Sequence, residues 1–179
     1  MIRRSRFIFF AFAALTAPSL AGAQPMGMPR SPAECTAPAE LSPSLAGWTT
    51  PSPLKAASNE EDLADSTLAL GQSVDLTLLP TPDVQYPKRP EQPGGSVSYG
   101  GVVGFTVEKP GTYRVALQTA AWIDVVHDGA AATSVAHGHG PDCSGIHKMV
   151  DFALEPGSYV LQIAGNGEPV MRVLVTTAK

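Results

Sequence analysis

From Val102 to Val175 the chain repeats one pattern: four to eight residues of alternating apolar character, then a turn built on glycine. Val103, Phe105 and Val107 alternate, and Lys109-Pro110-Gly111 follows. Tyr113, Val115 and Leu117 point one way, with Arg114 and Gln118 opposite. Trp122 to Val126 is closed by Asp128-Gly129, a pair suited to hairpin turns that need positive φ. Val150, Phe152 and Leu154 lead to Pro156-Gly157, and Tyr159, Leu161 and Ile163 return the chain. Asn166-Gly167 turns it again into Met171, Val173 and Val175. Period two with regularly spaced turns predicts short antiparallel strands, and so an all-β, jelly-roll-like sandwich. Leu68, Leu70, Val74, Leu76 and Leu78 add one or two strands, ended by Pro80. No segment after Gly71 carries a helical period.

Two pieces of this run echo each other. Phe105 to Leu117 reads FTVEKPGTYRVAL and Phe152 to Ile163 reads FALEPGSYVLQI. Each is expected to be a strand, a tight Pro-Gly hairpin and a strand opening on Thr/Ser-Tyr. The likeness is either a duplication or one turn chemistry used twice.

The N-terminal part is built differently. Arg3, Arg4 and Arg6 precede an apolar run, Phe7 to Ala17, that is short for a membrane span, and Ala21-Gly22-Ala23 is a small-x-small cleavage pattern. Residues 1–23 therefore read as a signal peptide, which places the chain in the periplasm or outside the cell with no membrane insertion once the signal is gone. Its removal leaves 156 residues and takes the formal charge from −4 to −7. That length suits one domain, and the acidic balance excludes attraction to phosphate backbones. Residues 24–65 are rich in Pro, Ala and Ser and read as an extended arm. Trp48 is expected to tuck into the domain, Met26 and Met28 read as a disordered start or else as soft metal ligands, and Ser58 to Asp65 as a short helical turn. Residues 66–179 form the sandwich.

Cys35 and Cys143 are the only cysteines, and an even count in an exported chain favours a disulfide. The loop it closes is long, which in the chain-entropy model corresponds to roughly 4 to 5 kcal/mol.

Two stretches hold the candidate site residues. The irregular segment 81–100 carries Tyr86, Lys88 and Arg89, a possible ligand loop or a solvated crossover. His137 to His147, HGHGPDCSGIH, holds three of the four histidines. His137 and His139 face one side if extended. With His147 they form a candidate set for Zn, Cu or Fe. Cys143 joins only if its thiolate is free, and Asp142 or Asp151 could supply a carboxylate. The alternative is a tight glycine-rich loop anchored by Cys143. His127 reads as a surface residue. Asp124 is either outward-facing or paired with Arg114. Ser134 and Ser144 lack a nucleophile-elbow sequence, and no phosphate loop is present.

Gly111-Thr112-Tyr113 and Pro156-Gly157-Ser158-Tyr159 resemble the bacterial pre-peptidase C-terminal (PPC-like) domains, over roughly the last 80 residues. That resemblance implies a secreted sandwich acting as a non-catalytic accessory. The order of GGSVSYGG, AWIDVV and HGHGPDC is similar to small exported proteobacterial proteins grouped as homogentisate 1,2-dioxygenases. That likeness implies non-haem iron held by two histidines and a carboxylate. The leading expectation is a non-catalytic module without a cofactor, binding an unidentified small molecule or protein.

Overall fold

Alternation sorts the side chains. The computed structural model describes residues 35–178, and in it every second residue of the long strands enters one central core. The signal peptide, its cleavage site, and Met26 and Met28 lie outside the described residues. Eleven strands are described: β1 (Ser52–Lys55), β2 (Ser73–Thr77), β3 (Leu79–Pro80), β4 (Tyr99–Val107), β5 (Gly111–Leu117), β6 (Trp122–His127), β7 (Ala130–Ala131), β8 (Ser134–Gly138), β9 (Lys148–Leu154), β10 (Gly157–Asn166) and β11 (Val170–Thr177). One sheet has the order β1-β2-β11-β5-β9-β8 and the other β3-β4-β10-β6-β7. All pairings are antiparallel except β1 with β2. The protein is a two-sheet β-sandwich.

Val103, Phe105, Leu161, Ile163, Ile123 and Val125 face inward from the five-stranded sheet. They meet Val74, Leu76, Val115, Leu117, Phe152 and Val173 from the six-stranded one. Phe105 stacks on Tyr159 with ring centroids 5.5 Å apart. Neither outer face is left bare. On the six-stranded sheet, Leu45 and Trp48 of a 3-10 turn (Pro43–Thr49) pack with Ala116, Leu174 and Ile146. On the other, Leu63 and Tyr86 cover Val102, Val126 and Val160.

The two Pro-Gly turns are not hairpins. β4 and β5 lie in different sheets, as do β9 and β10, so both turns carry the chain across the core. The Asn166-Gly167 turn also crosses, from β10 to β11. The echo survives in detail nonetheless. Tyr113 Oη donates to the Lys109 carbonyl at 2.8 Å, and Tyr159 Oη to the Glu155 carbonyl at 2.9 Å. Each tyrosine thus closes the crossover that precedes it. Asp128-Gly129 is a true hairpin, with φ of 49° and 73°, the two positive values a type I′ turn requires.

The arm is more structured than its composition indicates. Beyond the 3-10 turn it supplies β1 to the six-stranded sheet. The helical turn near residue 60 is a 3-10 segment, Glu60–Asp65, whose N-cap Asn59 Oδ1 accepts from Glu61 N and Asp62 N.

The expected disulfide between Cys35 and Cys143 is present, joining residues 108 apart. Among the described residues no helix is long and apolar enough to cross a membrane.

Candidate ligand cleft

The His137–His147 stretch links β8 to β9 at the margin of the six-stranded sheet. Its path is set by several local constraints. Gly145 has φ of 71°, and Cys143, unusually for a residue with a side chain, has φ of 63°. Ser144 Oγ donates to the Pro141 carbonyl at 2.6 Å and accepts from Ile146 N at 3.0 Å. Trp48 Nε1 reaches over from the arm to the Ser144 carbonyl at 2.9 Å, beside the disulfide. His147 N donates to the Leu117 carbonyl at 2.8 Å. The loop is tied to the arm on one side and to β5 on the other.

This geometry turns His137, His139 and His147 towards one cleft of about 600 Å³. The cleft opens where the margins of the two sheets stand apart. On one side is β8, which pairs with β9 alone. On the other is β6, whose Trp122–Asp124 portion pairs with β10, because β7 reaches only Val126 and His127. The chain crosses between the sheets at Ala132–Thr133, below the opening. Ile123, Val150, Phe152 and Ala132 make an apolar floor, and Trp122, Asp124, Lys148 and the three histidines make the rim.

The rim groups differ in what they have left to offer. Asp124 Oδ2 accepts from Trp122 Nε1 at 3.0 Å and from Gln162 Nε2 at 2.7 Å. Lys148 Nζ donates to the Ala121 carbonyl at 2.9 Å and lies 5.8 Å from the Trp122 ring centre. Burial pushes the Lys148 ammonium below the ordinary lysine value, and the nearby Asp124 charge opposes that shift. His139 Nδ1 donates to the His147 carbonyl at 2.8 Å, which leaves its Nε2 outward. The His139 and His147 rings meet edge to face, 5.9 Å between centroids.

Several sequence candidates are employed elsewhere. Cys143 is in the disulfide and supplies no thiolate. Asp151 is bound by Arg114 through two contacts, 2.7 and 2.8 Å, and that partner holds the guanidinium above its usual value. Arg114 therefore pairs with Asp151, not Asp124. Among the described residues no group of three or more His, Cys, Asp or Glu side chains gathers closely enough to hold one metal ion. His127 donates from Nδ1 to the Ser158 carbonyl at 2.7 Å and stacks on Tyr159.

Tyr86, Lys88 and Arg89 lie in the segment over the outer face of the five-stranded sheet. Tyr86 Oη donates to the Ile163 carbonyl at 3.1 Å. The Lys88 backbone exchanges two hydrogen bonds with the Gln162 side chain. Burial raises the Tyr86 hydroxyl to about 12, with the Thr81 hydrogen bond acting against it. Two of the three thus pin a loop to the sheet, while the Arg89 side chain is exposed. Sequence reasoning passed over Trp122 and Lys148 as site residues. The available signal was a tryptophan at a strand start and a lysine directly after the last histidine.

The fold is similar to the pre-peptidase C-terminal domain of a collagenase from Bacillus anthracis. The two share 17% identity with a TM-score of 0.40, over 62% of this chain and 92% of that one. No protein-family model and no curated protein matches the chain.

Proposed function

We propose that this chain is an exported, non-catalytic binding module that takes its ligand in the cleft between β6 and β8. The observation that carries the reading is the cleft itself: an apolar floor of core side chains with a few convergent polar groups at its mouth. Small-molecule sites have this composition and this range of volume. Export is supported by the Arg-then-apolar start of the sequence and by a disulfide, which persists in oxidising compartments. The test uses the neutral dye N-phenyl-1-naphthylamine. One dye is expected to bind per chain saturably, and Ser134→Trp, which fills the mouth from the exposed strand β8, should abolish it. Absence of saturable binding both of this dye and of its anionic analogue 8-anilinonaphthalene-1-sulfonate, or binding that Ser134→Trp leaves unchanged, would refute the reading.

A second reading is favoured by one contact. His139 Nδ1 is held by a carbonyl, the arrangement that orients metal-ligating imidazoles, and His147 is adjacent. A Zn or Cu ion on these two nitrogens, with His137 at the same mouth, is the form it takes. Elemental analysis of protein purified without a metal-affinity tag decides it, since a real site should hold far more than about 0.1 ion per chain. The ion should be lost in the His137→Ala/His139→Ala double variant.

A further inference from the structure

The cleft is lined by one ammonium, Lys148, and one carboxylate, Asp124, and the two are not paired with each other. Its one lining carboxylate, Asp124, already accepts from Trp122 Nε1 and Gln162 Nε2 through the same oxygen. Lys148 is the reverse case. An ammonium carries three N–H groups, and one of them is used, on the Ala121 carbonyl. The side chains of His137 and His147 make no hydrogen bond with any described residue, and a neutral imidazole carries one N–H donor and one acceptor nitrogen. Behind these donors the walls are Trp122, Ile123, Val150 and Phe152, with no further carboxylate.

Among the described residues Lys148 makes no salt bridge. Its contacts are the neutral Ala121 carbonyl and the Trp122 ring beneath it, while the nearby Asp124 carboxylate is bonded to Trp122 and Gln162. An incoming acid would give it a counter-charge at a site partly shielded from water, where such a contact is stronger than at an open surface.

Resting on the reading of the cleft as the binding site, we infer that its ligand is a small amphipathic anion. An apolar, ring-sized body would lie against Trp122, Val150 and Phe152, and one acidic group, a carboxylate or sulfonate, would meet Lys148 Nζ with His137 and His147 beside it. A neutral apolar molecule would take water from the half-buried Lys148 ammonium without replacing its hydrogen bonds, which is costly. A cationic one would meet the Lys148 ammonium at the mouth, with only the second oxygen of Asp124 left to receive it.

The experiment compares 8-anilinonaphthalene-1-sulfonate with its uncharged counterpart, N-phenyl-1-naphthylamine, on the full purified protein at low salt. The sulfonate should bind one per chain at least tenfold more tightly, a difference of about 1.4 kcal/mol. Lys148→Met keeps the apolar stem over Trp122. It should remove that tenfold advantage while leaving the neutral dye within about threefold, and Lys148→Arg should retain it. A second measurement needs no variant: 4-phenylbutyrate should displace the bound sulfonate dye, and 4-phenylbutylamine should not. Equal affinity for the two dyes, or displacement by the amine as readily as by the acid, overturns the inference and leaves the cleft as a site for neutral ligands. Failure of both dyes to bind saturably overturns the cleft reading as well.

Discussion

The two long margins of the sandwich are finished in opposite ways. At the β1/β3 margin the chain stitches the sheets together. Ala56 N donates to Thr77 of β2 in one sheet, and the next residue, Ala57, exchanges two backbone hydrogen bonds with Val102 of β4 in the other. Ser66 and Leu68 then bond to Gly104 on the same strand. The terminal strands there carry Pro53 and Pro80, residues that cannot donate to a further strand. At the β6/β8 margin the gap is spanned by the crossover at Ala132–Thr133 and by the Lys148 side chain, bonded to the Ala121 carbonyl. Strand β8 is exposed at all five positions, and its sequence, Ser-Val-Ala-His-Gly, contains neither lysine nor proline. Exposed edges are usually blunted by such residues. Here the one irregularity is a register shift between Ser134 and Ala136. One margin is sealed for stability and the other is left available, with the apolar core showing through as a cleft floor.

That contrast can be broken most severely through the bond that spans it. Replacing Cys35 and Cys143 by serine frees the arm from the cleft loop. For a loop of this length the expected loss is about 4 kcal/mol in urea unfolding, with the wild type losing the same amount under reductant. Next in size is a lesion at the sealed margin. A Cβ on Gly100 would collide with Tyr86 Oη and come within 2.6 Å of the Ile163 carbonyl. Gly100→Ala should therefore cost about 1–3 kcal/mol and dislodge the 81–98 loop. Dye binding at the far margin should persist. Arg114→Met, on the outer face of the six-stranded sheet, strips the nearly buried Asp151 of two charge-assisted bonds. A loss of about 1.5–3 kcal/mol in urea unfolding is expected.

The sealed margin should also have an alkaline weakness. The Tyr86 hydroxyl titrates near 12 in the fold against 10 for a free tyrosine. A raised value means that the neutral form is favoured by folding. Its contribution is complete below pH 10 and is lost as pH rises through 12. Absorbance at 295 nm should show one late-ionising tyrosine, absent in Tyr86→Phe. Stability of that variant should fall less between pH 10 and 12. The smallest effect belongs to the open margin. Val135 is 57% exposed on β8, so Val135→Lys should change stability by no more than about 0.5 kcal/mol. A larger loss would show that β8 is not a free edge.

The sequence makes inward-facing residues legible because alternation is a local property. Val103, Phe105, Leu161 and Val173 are all where period two puts them. It does not say which sheet a strand joins, since both inner faces are equally apolar. For that reason Lys109-Pro110-Gly111 and Pro156-Gly157 read as hairpins when they are crossovers. Only Asp128-Gly129, whose residues demand a specific turn, was decisive. Strand β1 was hidden by Pro51 and Pro53, because an edge strand tolerates prolines that a central strand does not. The disulfide followed from counting. The cleft did not, because it depends on where strands stop pairing: at Trp122–Asp124 on one side and at β8 on the other. The three histidines line the cleft, and Trp122 and Lys148 join them there only once the two margins face each other.

The bond between Cys35 and Cys143 also fixes an order of events. A chain emerges from its N-terminus, so Cys35 waits as a thiol until more than a hundred further residues have followed it. Strand β2 waits longer still, for its partner β11 at the end of the chain. The histidine-bearing loop cannot reach its final shape until the bond forms, because Cys143 and Ser144 are the points by which the arm holds it. The histidine side of the cleft therefore takes its shape late in maturation. A chain released into a reducing environment would arrive with its core packed and its histidine rim unset.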